Sequence, residues 1–135
     1  MPRQLWQLKR CRPCVRVVLT LELNGQSVTR TLLADSGAGS LLSGFELILE
    51  EDDCLLCGGL PEQPVALGGA YTGSFPSYTV RVSIPELGFD ENLRVVGVPS
   101  VPDGFDGIAG FPFLNRFTYG NFGDADQFEI GRAHV

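Results

Sequence analysis

Residues 32–40, LLADSGAGS, set one carboxylate, Asp35, between an apolar run and a turn made almost wholly of small residues. An acid at the end of a buried strand suits proton transfer. Ser36 carries a hydroxyl that can donate or accept a hydrogen bond across a subunit boundary, while Gly37 and Ala38 let a second backbone come close. Two such loops related by a two-fold axis would bring their aspartates together. Carboxylates about 3 Å apart cannot comfortably both ionise, so the pair shares one proton and acts as base and acid toward one trapped water. Such a pair works from acidic to neutral pH, because raising the pH eventually ionises both members. With one Asp-Ser-Gly per chain, this chemistry calls for a homodimer. The competing reading is plain: Asp, Ser and Gly are common turn residues, and the triplet alone is most often a solvated turn.

Other chemistries lack their residues. The only histidine is His134, next to last in the chain, so a Ser-His-Asp or Cys-His arrangement would depend on a terminal tail. There is no H-E-x-x-H and no G-x-x-x-x-G-K-[ST], and GAGSLL fails the dinucleotide fingerprint because Leu42 stands where the third glycine belongs. No cofactor is expected. A net charge of -6 argues against nucleic acid as a partner, since backbone phosphates are bound by Lys and Arg. No membrane partner is expected either, since nothing approaches the roughly 18 apolar residues of a spanning helix. No secretory signal is evident after the basic first residues, which makes a cytoplasmic location the expectation. Four cysteines form two C-x-x-C pairs, Cys11 with Cys14 and Cys54 with Cys57. They are expected to be reduced structural thiols with no metal, the alternative being a closed four-thiolate zinc site. The acidic run 50–53 reads as a solvated face.

The elements that would hold Asp35 follow from periodicity. From Val15 to Leu23 every odd position is apolar, the alternation of a half-buried strand. Asn24-Gly25 then signals a two-residue hairpin turn, with the return strand over 26–34. That register sets Leu21 opposite Val28, Val17 opposite Leu32, Val15 opposite Ala34 and Asp35 opposite Cys14. The segment 45–64 is ambiguous. VALGGAYTG reads as a second hairpin with Gly68-Gly69 near its tip; Tyr71 fits either a cleft lining or a cover for the hairpin, and the cover is preferred. Tyr78, Val80, Val82 and Ile84 alternate with polar residues, and another strand is expected over 93–98. Pro112 suits the start of a short helix carrying Phe113, Leu114 and Phe117 inward, and a last strand includes Phe128 to Ile130. With 135 residues, 44% hydrophobic, the chain supports one domain over 1–135. Its fold class is mainly β and closed barrel-like, with one short C-terminal helix.

In this order, LLADSGA, ALGGAYTG and DGIAGFPFLNRF resemble three signatures of the single-lobed, retroviral-type (retropepsin-like) aspartic proteases. These are the apolar–Asp–Thr/Ser–Gly–Ala loop, the glycine-tipped flap, and the later apolar-apolar-Gly motif leading into a short helix. The resemblance spans about residues 15–130 and implies an acid-protease lobe with a β-hairpin flap. It implies an aspartic endopeptidase acting as a homodimer on peptide or protein substrates. In that reading Asp35 is the catalytic acid and base, Ser36 exchanges hydrogen bonds across the dimer, and Gly37 and Ala38 shape the loop. Gly68, Gly69 and Ala70 would approach substrate from the flap, and Ile108 and Gly110 would pack beneath the catalytic loop. The alternative is a catalytically silent dimerisation or peptide-binding module of the same fold.

Overall fold

The computed structural model describes residues 2–22, 25–69 and 71–132. Among the described residues ten strands and two short α-helices follow in the order β1 (Arg3–Gln7), β2 (Cys14–Thr20), β3 (Ser27–Ala34), β4 (Leu47–Glu50), α1 (Glu51–Leu56), β5 (Glu62–Leu67), β6 (Gly73–Ile84), β7 (Phe89–Val98), β8 (Gly107–Ala109), α2 (Phe111–Leu114), β9 (Phe117–Gly120) and β10 (Gln127–Arg132), with a single 3-10 turn, Pro85–Leu87, between β6 and β7. Strands β2-β3-β8-β4-β7-β6 form a closed barrel, completed where β6 returns to β2 at Val18 opposite Ser83 and Leu19 opposite Val82. β5 pairs only with β6 and extends outside the ring as a hairpin. β1, β10 and β9 make a separate three-stranded antiparallel sheet. No helix among the described residues is long and apolar enough to cross a membrane.

Alternation decides which face each strand buries. On β2, Val15, Val17 and Leu19 are fully buried while Arg16 and Thr20 face water. On β6 the same parity buries Tyr78, Val80, Val82 and Ile84. These side chains fill the barrel with Leu32, Leu47, Leu93 and Val95, and the core continues through Phe113, Phe117 and Ile130 toward the smaller sheet. A second apolar cluster, Phe45, Ile48, Val96, Val98 and Ile108, lies apart from this core and carries Val65, Leu67 and Tyr71 of the β5–β6 hairpin on it. That packing fixes where the hairpin lies. Phe117, expected on the short helix, is buried at the start of β9 instead, because α2 ends at Leu114.

The β2–β3 register differs from the sequence expectation by two residues. Val15 faces Leu32, Val17 faces Arg30 and Leu19 faces Val28. The last rung is the Leu21 N–H donating to the Gln26 carbonyl at 2.7 Å, which leaves a four-residue connection rather than a two-residue turn. Leu23 and Asn24 lie outside the described residues. The next N–H after Leu21, that of Glu22, points away from β3 and donates to the Leu56 carbonyl at 3.4 Å. Because the shift is even, every inward residue stays inward. Its consequence is local: Cys14 faces Leu33, not Asp35.

The ambiguous segment resolves into β4 and α1. Glu51, Asp52 and Asp53 occupy the first helical turn, where negative charge complements the helix dipole. The acidic run is therefore not simply a solvated face. Asp53 is buried and accepts a two-pronged bond from Arg30, Nε to Oδ2 at 2.8 Å and Nη2 to Oδ1 at 3.0 Å. Glu51 accepts the Tyr78 hydroxyl at 2.9 Å.

Candidate active site

Asp35 begins where β3 ends. Ala34 pairs with Ala109 in the parallel β3–β8 ladder, and the Asp35 N–H continues that ladder by donating to the Ala109 carbonyl at 3.0 Å. The chain then turns sharply, with the Ala38 N–H donating to the Asp35 carbonyl at 3.0 Å. Within this turn the Gly37 N–H donates to Asp35 Oδ1 at 3.0 Å, which orients the carboxylate. A Cβ at Gly37 would sit 3.2 Å from that oxygen, so the small residue keeps the bond unobstructed. Asp35 is half-buried and Ser36 is exposed.

The later motif lies directly against this turn. β8 is inserted between β3 and β4, parallel to the first and antiparallel to the second. Beyond it, the Gly110 N–H donates to the Glu46 carbonyl at 2.9 Å and the Phe111 N–H donates to the Ala38 carbonyl at 2.8 Å. A Cβ on Gly110 would meet the Ala38 oxygen at 2.8 Å and the Glu46 oxygen at 3.1 Å, so only glycine fits between the two carbonyls. Thus segments 35–38 and 108–111, more than seventy residues apart in sequence, form one hydrogen-bonded unit.

A cleft of about 470 Å³ opens above that unit. Its floor includes Asp35, Phe45, Ile48 and Ile108, and its wall includes Leu67, Gly68 and Gly69 at the tip of the β5–β6 hairpin. Of the expected site residues, Asp35, Gly37, Ala38, Gly68, Gly69 and Ile108 all line it, while Gly110 lies beneath. Ala70 and His134 lie outside the described residues. Asp35 is the one carboxylate among the described residues that line the cleft.

Tyr71 fits both readings, packing on Phe75 of the hairpin and lining the cleft. It lines the cleft with Asp35, packs on the second apolar cluster and meets Phe75 edge-on, ring centroids 6.4 Å apart. Burial raises its phenol pKa. Strand periodicity could not signal this contact, because Tyr71 lies in the turn before β6, its N–H donating to the Gly68 carbonyl at 3.3 Å. Phe45 had no signal either, because its role depends on β7 and β8 arriving from elsewhere.

The cysteines are free thiols, and among the described residues no group of three or more His, Cys, Asp or Glu side chains is arranged to hold a metal ion. Cys14 and Cys54 are buried. Burial pushes the Cys54 thiol up to about 12, aided by the neighbouring Cys57 and Asp53, and burial also raises Cys14 and Cys57. Thiols held protonated in this way are poor nucleophiles. No family model matches the chain, and no curated protein sequence does either.

Proposed function

We propose that the chain is an aspartic endopeptidase of the retropepsin-like type, active as a homodimer in which each chain contributes one Asp35 to a shared water. The observation that carries this reading is the position of Asp35, its carboxylate oriented by the Gly37 N–H on the floor of a cleft beneath a glycine-tipped hairpin. The β5–β6 hairpin then serves as the flap, closing over an extended peptide and excluding water. Ser36, exposed beside Asp35, is available to a partner loop across the two-fold axis.

The mechanism follows from general acid and base chemistry. One carboxylate of the pair takes a proton from the trapped water as it attacks the peptide carbonyl, and the protonated partner donates to that carbonyl oxygen. Proton return to the departing nitrogen completes cleavage. Asp35→Asn preserves shape but cannot accept the water's proton, so turnover of a mixed peptide library is expected to vanish while the melting temperature holds. Sedimentation of active protein should show a two-chain species. Equal turnover by the Asn variant, or full activity in a monomer, would refute the proposal; peptide binding without cleavage would favour the silent module.

A further inference from the structure

A second depression, also about 470 Å³, adjoins the first and shares Asp35, Tyr71 and Ile108 with it. Its remaining wall includes Arg12, Val101 and Pro102. The two depressions differ in chemistry. Among the described residues, the one under the hairpin is lined by no cation, whereas the second has Arg12.

Arg12 is held in place by its backbone. Its N–H donates to the Lys9 carbonyl at 3.0 Å and its carbonyl accepts the Lys9 N–H at 2.9 Å, closing a tight turn over Arg10 and Cys11, both at positive φ. The next carbonyl, that of Pro13, accepts the Ala34 N–H at 3.0 Å, one residue before Asp35. The base of the Arg12 side chain is thereby in fixed register with Asp35. Neighbouring cations are engaged: Lys9 lies over the Phe105 ring at 5.9 Å, and Arg10 pairs with Asp103 at 3.3 Å. Among the described residues the exposed Arg12 guanidinium makes no ion pair, with Asp35 or any other acid.

We infer that Arg12 is a specificity-determining residue that receives an acidic side chain of the substrate peptide close to the scissile bond, an inference that rests on the peptidase reading of Asp35. A peptide crossing Asp35 from the apolar cleft enters the second depression, where a guanidinium offers a carboxylate two parallel N–H donors. The net charge of -6 repels acidic peptides at long range, so any preference for them must come from a cation beside the reacting bond. In a two-fold dimer one Arg12 flanks each side of that bond, so an Asp or Glu is accepted on either side.

The test is cleavage-site profiling of a mixed peptide library, followed by kinetics on paired peptides that carry Glu or Gln next to the favoured bond. For the unmodified protein, kcat/KM for the Glu peptide should exceed that for the Gln peptide about tenfold, equivalent to ~1.4 kcal/mol. The ratio should fall to about one in Arg12→Gln, invert in favour of a Lys peptide in Arg12→Glu, and shrink as salt is added. A ratio near one in the unmodified protein, or an unchanged ratio in Arg12→Gln, would overturn the inference and leave the peptidase reading standing. So would an equal loss on both peptides, which would assign Arg12 to the subunit contact. Absence of cleavage of every library peptide would sink the peptidase reading and this inference with it.

Discussion

Gly110→Ala probes the union of the two motifs at its tightest point. Gly110 has φ −84° and ψ 176°, a conformation open to alanine, so backbone strain is not the obstacle. The obstacle is space. The new methyl would stand 2.8 Å from the Ala38 oxygen and 3.1 Å from the Glu46 oxygen, both backbone atoms with no side-chain freedom to yield. One of the segments must move by several tenths of an ångström, stretching the 2.8 Å Phe111–Ala38 bond or the 2.9 Å Gly110–Glu46 bond. Overpacking of this kind costs about 1–3 kcal/mol, and the smaller conformational freedom of alanine in the unfolded chain returns about 0.4–1 kcal/mol. The net loss should be about 1 kcal/mol, lowering the urea midpoint by about 0.5–1 M for a small domain. Gly44→Ala is the control, since a Cβ there meets nothing within 4 Å and its midpoint should hold or rise slightly. The tighter contact, 2.8 Å, is on the Ala38 oxygen of the Asp35 turn, so that turn is the segment expected to yield and peptide turnover should fall further than stability, by up to ~100-fold for a shift approaching 1 Å. A Gly110→Ala variant with an unchanged midpoint and unchanged turnover would refute the claim that segments 35–38 and 108–111 act as one unit.

Burial raises Tyr78 from 10.0 to about 12, with the Glu51 bond adding to it, and raises Cys54 from 9.0 to about 12. Both are held neutral in the fold, so their contribution is fully present below pH 9 and is lost as pH rises toward 12. The melting temperature should fall across that window, less steeply in a Tyr78→Phe, Cys54→Ala double variant than in the parent when each is compared with its own value at pH 8. Asp53→Ala leaves the partly buried Arg30 without its two-pronged partner and should cost ~1–3 kcal/mol by urea denaturation, below the fully buried range because Arg30 retains some exposure. Chelator treatment should leave both melting temperature and peptide turnover unchanged, since the four thiols form no metal-holding group; metal analysis giving one tightly held zinc per chain would contradict this.

Alternation made the barrel walls legible. Val15 to Leu19 and Tyr78 to Ile84 announce their buried faces by period two, and the structure buries those residues. β1 and β9 escaped notice because each is short and depends on a partner, β10, that is distant in sequence from β1. Trp6 is buried only once that sheet exists. The first hairpin shows a different limit. Asn-Gly favours a two-residue turn locally, but the ladder ends with Leu21 opposite Gln26, a register that no local signal in the sequence marks.

The two-residue slip leaves the direction of the Asp35 N–H unchanged. Backbone N–H groups alternate sides along a strand, so with the Ala34 N–H turned to Pro13 the Asp35 N–H turns away from β2 and donates to Ala109 of β8. The carboxylate is therefore positioned by the later motif rather than by the hairpin that precedes it. Local periodicity could identify the acid, but the pairing of β3 with β8 places its backbone and the Gly37 N–H sets where its carboxylate points. A substitution in β8 should consequently disturb Asp35 more than one of equal size at the far end of β2, although β2 is much the nearer in sequence.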